Sequence, residues 1–303
     1  MQIEIISTES LGARGMCTMV KTKSRRILID PGIALGLVRH GLLPHPCQIS
    51  RGAELREKIV VALMQATDVI LSHYHGDHIP LEAANPYQLS LKRVAGGLEN
   101  IRLWGMSPQN TGAAIYNRAK DIEESAGMSI LPAEGHHDGQ LQISEAMPHG
   151  LYSQKPNMVV MSRIEEDGFV FVHASDIQLI ERNPVQQIID WHPDVVFVSG
   201  PPLYIQTLSA EVRAVAWENA LALAKSVGTV VIDHHLLRCL EGVEWLERVA
   251  RESGNRVLCA ADFQNKRRRF LEAERERFYR VQPVSEGWHD AYEDSWKQTN
   301  MYS

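Results

Sequence analysis

Residues 73–78 read His73-Tyr74-His75-Gly76-Asp77-His78, and three imidazoles and a carboxylate within six positions restrict what can surround them. Imidazole and carboxylate are the preferred protein ligands of zinc and related divalent ions, so the segment reads as the nucleus of a metal site. The apolar run Asp68-Val69-Ile70-Leu71 stands directly ahead of it, which places the cluster where a strand leaves a sheet. In an extended backbone His73 and His75 project to one side, and a turn at Gly76 redirects Asp77 and His78 toward a second position. The plain alternative is a His-rich polar loop in solvent. The apolar strand before the cluster argues against it.

Six residues cannot complete two coordination spheres, so further ligands are expected at other strand ends. His149 lies in Met147-Pro148-His149-Gly150, Asp176 follows the apolar Phe169-Val170-Phe171-Val172 run, and His234 and His235 follow Val230-Val231-Ile232-Asp233. Of the last pair His234 is preferred, because it comes immediately after the strand-ending Asp233. Other histidines read differently. His173, on an apolar strand, is expected as a hydrogen-bonded core residue, and His136 and His137 as part of a turn. His45, between two prolines, and Arg14 and Arg238 are candidate substrate contacts, the arginines being equally at home in scaffold ion pairs.

The chain opens with short β segments near Gln2–Ser7, Met16–Lys21 and Arg26–Ile29, followed by a helical pattern from about Ala53 to Gln65. Pro108 to Ala126 reads as helix. Met158–Met161 and Phe169–Val172 are expected to pair across Glu166-Asp167-Gly168. Beyond Asp190, strands at 195–198, 229–232 and 256–258 alternate with helices near 210–225 and 241–251, and a charged helix is expected from about Phe263 to Tyr279. Hairpins early and alternation later indicate two sheets with helices outside.

With 303 residues, 44% of them hydrophobic, and no linker-like stretch, a single domain over 1–303 is expected, with about 283–303 as an irregular tail. A net charge of −6 exerts no general pull on polyanions, so nucleic acid is not favoured as a partner. The basic run Lys266-Arg267-Arg268-Arg269 is soon followed by Glu272, Glu274 and Glu276, which suits a solvated face. The four cysteines are scattered and follow no leader-like run; reduced thiols, a cytoplasmic location and no membrane span are expected.

The order Asp30, the H-x-H-x-D-H segment, a later His, a later Asp and a last His resembles the five motifs of the metallo-β-lactamase superfamily. More narrowly, Glu9-Ser10-Leu11-Gly12, Asp30-Pro31-Gly32, Leu43-Pro44-His45-Pro46, Ser199-Gly200-Pro201-Pro202 and Asp233-His234-His235-Leu236-Leu237-Arg238 look like the mostly archaeal UPF0282 family. The superfamily resemblance implies an α/β four-layer αββα sandwich. It also implies His73, His75 and His149 around one metal and Asp77, His78 and the late histidine around another, with Asp176 bridging and Asp30 behind the ligands. Two divalent ions per chain would be bound, zinc ahead of manganese or iron. A water shared by ions about 3.5–4 Å apart would attack an ester-like bond, with Asp77 orienting it. Phosphoesters rank slightly ahead of lactones and thioesters. A di-iron oxidoreductase and a non-catalytic metal-binding protein are the readings from other classes, and a homo-oligomer is open.

Overall fold

The structure, a computed structural model, describes residues 1–99, 101–108, 112–150 and 157–300, without the side chains of 299 and 300. One six-stranded sheet runs in sequence order through β1 (Gln2–Ile5), β2 (Thr18–Lys21), β3 (Arg26–Ile29), β4 (Asp68–Leu71), β5 (Arg102–Gly105) and β6 (Leu131–Pro132). Its first three strands pair antiparallel and the rest join in parallel. The second sheet contains β7 (Leu141–Ile143), β10 (Ser162–Glu166), β11 (Phe169–His173), β12 (Val195–Val198), β13 (Thr229–Ile232) and β14 (Arg256–Leu258) in that spatial order. Strands β8 (Met147–Pro148) and β9 (Met158–Val159) form a separate two-stranded ribbon.

Helices α1 (Pro46–Leu63), α2 (Ala113–Ala126), α3 (Arg182–Asp190), α4 (Ala210–Ser226), α5 (Leu240–Ser253), α6 (Ala260–Phe263), α7 (Arg275–Val281) and α8 (Trp288–Asn300) flank the sheets. The architecture is the expected α/β four-layer αββα sandwich. Strands covered on both faces must be apolar at every position rather than at alternate ones. That explains the runs Val69–Leu71, Val195–Val198 and Val230–Ile232, all buried. Asp30, the 72–78 segment, Asp176 and the 233–235 segment follow β3, β4, β11 and β13 respectively. Among the described residues no helix is long and apolar enough to cross a membrane.

Several expectations need correction. The partner of β11 is β10, Ser162–Glu166, not Met158–Met161, although the expected turn is present with Asp167 at φ 52° and Gly168 at φ 81°. Strand β10 alternates buried and half-buried side chains because one of its faces is less covered, and its polar positions hid it beside the more apolar Met158–Met161. Helix α1 starts at Pro46 because His45 caps it, accepting from the Cys47 N–H while Gln48 reaches back to the His45 N–H. Helix α2 starts at Ala113; residues 109–111 of the segment expected to be helical lie outside the described residues.

No continuous helix spans 263–279. Asn265 adopts φ 53°, which ends α6, and the chain then runs as an irregular strap to α7. Along the strap Arg269 N–H donates to Ser10 O at 2.8 Å, and the Glu272 carboxylate accepts two hydrogen bonds from Arg14. Cross-chain bonds thus replace the helical ladder that the charge pattern suggested. The expected irregular tail contains α8, whose Trp288 and Tyr292 rings stack and continue onto Tyr87. Residues 301–303 lie outside the described residues.

Candidate metal centre

Leaving β4, the backbone bends at Ser72 and turns at 76–78, with His78 N–H donating to His75 O at 2.9 Å. Alternation sends Tyr74 away from its neighbours into the core, where its hydroxyl donates to Met106 O at 2.7 Å. The rings of His73 and His75 face the same region, with centroids 4.6 Å apart. The turn brings Asp77 and His78 to a second position, as close approach of the 30–32 loop requires. A Cβ on Gly32 would lie only 2.2 Å from the His78 carbonyl carbon.

The remaining strand ends complete two groups of donor atoms. His73, His75, His149 and Asp176 each bring one donor atom to a cluster spanning no more than 4.8 Å, and so do Asp77, His78 and His234. Asp176 lies between them. Its Oδ2 is 2.8 Å from His149 Nε2 and 3.5 Å from His73 Nε2, while its Oδ1 is 3.2 Å from His78 Nε2 and 3.4 Å from His234 Nε2.

In the second group His78 Nε2 to His234 Nε2 and His234 Nε2 to Asp77 Oδ2 are also 3.4 Å. Ligands roughly 2.0–2.2 Å from a tetrahedral ion are separated by about 3.3–3.6 Å, so this set fits a divalent cation. The buried atoms His73 Nε2 and Asp176 Oδ1 have no hydrogen-bond partner among the described residues, and an ion would satisfy both.

Behind these donors lies a buried hydrogen-bond network. Asp30 Oδ2 meets His78 Nδ1 at 2.9 Å and accepts from Ser72 Oγ at 2.8 Å and Ser175 Oγ at 2.7 Å, while Ser72 Oγ also meets His73 Nδ1 at 2.9 Å. Such acceptors fix ring orientation and leave Nε2 for a metal. Burial alone would raise the Asp30 carboxyl, but the nearby His78 outweighs it and brings the pKa down to about 2. Burial likewise opposes ionisation of Asp176, yet His78, His235, His234 and His149 hold it well below the usual carboxylate range. Burial, followed by neighbouring His73 and His149, takes His75 down to about 3, the neutral state that ligation needs.

His234 and His235 diverge. His234 completes the second group, and its Nδ1 accepts from Gly15 N–H at 3.2 Å. His235 Nε2 instead lies 3.1 Å from Asp176 Oδ2, and its Nδ1 is 3.0 Å from the Tyr204 hydroxyl. Arg238 is buried and reaches the centre: it donates to Glu9 Oε1 at 3.1 Å and to Asp77 Oδ2 at 3.3 Å, and its Nη2 lies 2.7 Å from His234 Nε2.

Arg14 is engaged by Glu272 and serves the scaffold. His45 likewise makes scaffold contacts, capping α1 with its Nε2 2.9 Å from Gln282 O. His173 is the core histidine expected, with Nε2 2.9 Å from Met16 O. Ser72, Ser175 and Gly15 went unnoticed in the sequence because serine and glycine are common and carry no spacing signal.

Residues 12–79 match the model of the Metallo-beta-lactamase superfamily. A UPF0282 protein of Methanosarcina mazei is 46% identical over 97% of this chain and 96% of its own length. The chain belongs to the UPF0282 family. A second UPF0282 protein, from Korarchaeum cryptofilum, is 34% identical over 94% of this chain and 97% of its own length. Among solved structures, this UPF0282 chain is similar in fold to an isothiocyanate hydrolase from Delia radicum gut bacteria. The TM-score is 0.51 at 17% identity, covering 82% of this chain and 93% of that one.

Proposed function

We propose that this UPF0282 chain is a binuclear metal-dependent hydrolase of an ester-like bond, with phosphoesters ahead of lactones and thioesters. The observation that carries the reading is Asp176, whose two oxygens face two different groups of donors. His73, His75, His149 and Asp176 would hold one ion, and Asp77, His78, His234 and Asp176 the other; zinc suits these nitrogen and oxygen donors, with manganese and iron as competitors. Bound there, two divalent ions supply an activated water and stabilise the negative charge that develops on the attacked centre.

The protein's own groups set up that chemistry. Asp30 and Ser72 orient the rings of His78 and His73, and Arg238 holds Asp77 in place. Asp77 and His75 are half-buried, unlike the deeper His73, His78 and Asp176, so they stand on the open side where substrate would arrive. Asp77 can orient an attacking water there.

The test is hydrolysis by protein reconstituted with zinc, manganese or iron, using bis(p-nitrophenyl) phosphate, a homoserine lactone and an acyl thioester. Turnover of one class, lost in His75→Ala and Asp77→Ala, is expected. Redox turnover with a flavin partner and no hydrolysis would favour the di-iron oxidoreductase instead. Metal binding without turnover of any kind would leave a non-catalytic metal protein.

A further inference from the structure

Tyr204 separates the metal centre from a surface loop, residues 36–42. Its hydroxyl lies 3.0 Å from His235 Nδ1 with the two ring planes within 11° of each other, and the Arg39 guanidinium carbon lies 5.1 Å from the Tyr204 centroid. The loop tip faces solvent, with Leu37 49% and Val38 62% exposed. It is nevertheless held firmly. Arg39 and Leu42 exchange two backbone hydrogen bonds of 3.0 Å, and the fully buried Arg275 donates from beneath to the carbonyls of Gly36 and Leu42 at 2.6 and 2.9 Å. Arg275, which also donates to Gln48 Oε1 at 2.9 Å, ties the loop to α1 and so holds the stretch from which Arg39 projects.

The two arginines near Tyr204 differ in their surroundings. The Arg238 guanidinium carbon is 5.6 Å from the Tyr204 centroid, and its charge is met by Glu9 and Asp77. Arg39 forms no ion pair among the described residues. Its Nη2 donates to the Arg238 carbonyl at 3.2 Å, and its Nε is buried without a partner. An uncompensated, part-exposed guanidinium one tyrosine ring from the candidate metal centre matches a carboxylate or phosphate oxygen.

We propose that Arg39 receives a negatively charged group of the substrate, remote from the bond that breaks, so that the natural substrate is an ester carrying a second anionic group. The proposal rests on the hydrolase reading and narrows its substrate class.

The test is calorimetric binding of two phosphonates to metal-reconstituted protein: 3-phosphonopropionate and propylphosphonate, which differ by the remote carboxylate. Wild type should bind the first about tenfold more tightly, the effect of one charge-assisted hydrogen bond. Arg39→Gln should remove the difference while leaving propylphosphonate binding unchanged, and Arg39→Lys should keep part of it. Equal affinities in wild type, binding of neither ligand to loaded protein, or a preference that survives Arg39→Gln would each overturn the proposal. Metal content of the same sample separates the two readings. Protein that takes up no metal would overturn the hydrolase reading and this proposal with it, whereas loaded protein that treats the ligands alike would overturn only the role of Arg39.

Discussion

At Asp176 two oxygens serve two clusters, and behind the histidines the oxygens of Asp30 and Ser72 hold the rings that face them. Removing one such outer hydrogen bond weakens metal binding without deleting a ligand. Ser72→Ala is therefore expected to lower metal affinity about 10–100-fold, read by chelator competition, with the fold retained. Asp30 also makes a pH prediction for metal-free protein. Its pKa falls from an ordinary value near 4 to about 2 in the folded state, so the folded protein holds the carboxylate charged where the unfolded chain protonates it. A depressed carboxylate stabilises above its unfolded pKa, and that stability is lost as pH falls from about 4 toward about 2. Denaturant titrations should show about 2 kcal/mol of this acid-dependent loss, and Asp30→Asn should flatten it. An unchanged slope would count against the ion-paired Asp30–His78 arrangement.

Among the elements, those buried on both faces were the most legible. The runs at 69–71, 195–198 and 230–232 are apolar throughout because layers cover both sides of them. Strand β10 was obscure because Arg163 and Glu165 face outward, and the eye goes instead to the apolar Met158–Met161 next to it. The strap from 264 to 274 carries a helix-like charge pattern, and charge spacing records neither the left-handed Asn265 nor the Arg14–Glu272 pair from the far end of the chain. The loop–turn contact at Gly32 gives a prediction at this scale. A Cβ there collides with His78 backbone, so Gly32→Ala should displace the 76–78 turn and cost the ion proposed at Asp77 and His78 before the one proposed at His73, His75 and His149. Metal titration of that variant should show one site weakened much more than its neighbour. Equal weakening of both would contradict the local account.

For the whole molecule, the centre ties together segments far apart in sequence. Asp233 accepts from Thr8 Oγ1, Ser10 N–H and Ala260 N–H at 2.9 Å each, and Arg238 pairs with Glu9. The 73–78 cluster and the strand-end positions of His149, Asp176 and His234 were readable because ligand chemistry is confined to a few residue types. The pairing of Arg39 with Tyr204 is not legible in the sequence, because it is a contact between distant loops. Ions bound only by the folded chain must also stabilise it: free metal at 100 times its dissociation constant should add about 2.7 kcal/mol per site, and a chelator should reverse it.

The most direct measurement is the number of metal ions per chain, by elemental mass spectrometry, in wild type and in His149→Ala, His234→Ala and Asp176→Ala. His234 is the sharpest of these, since the Gly15 amide donates to its outer nitrogen where His73 and His78 face side-chain oxygens. Nearly two ions in wild type, nearly one in each histidine variant and a loss at both sites in Asp176→Ala are predicted. A wild type that takes up no more than one ion after reconstitution, or variants that retain two, would contradict the bridged binuclear centre.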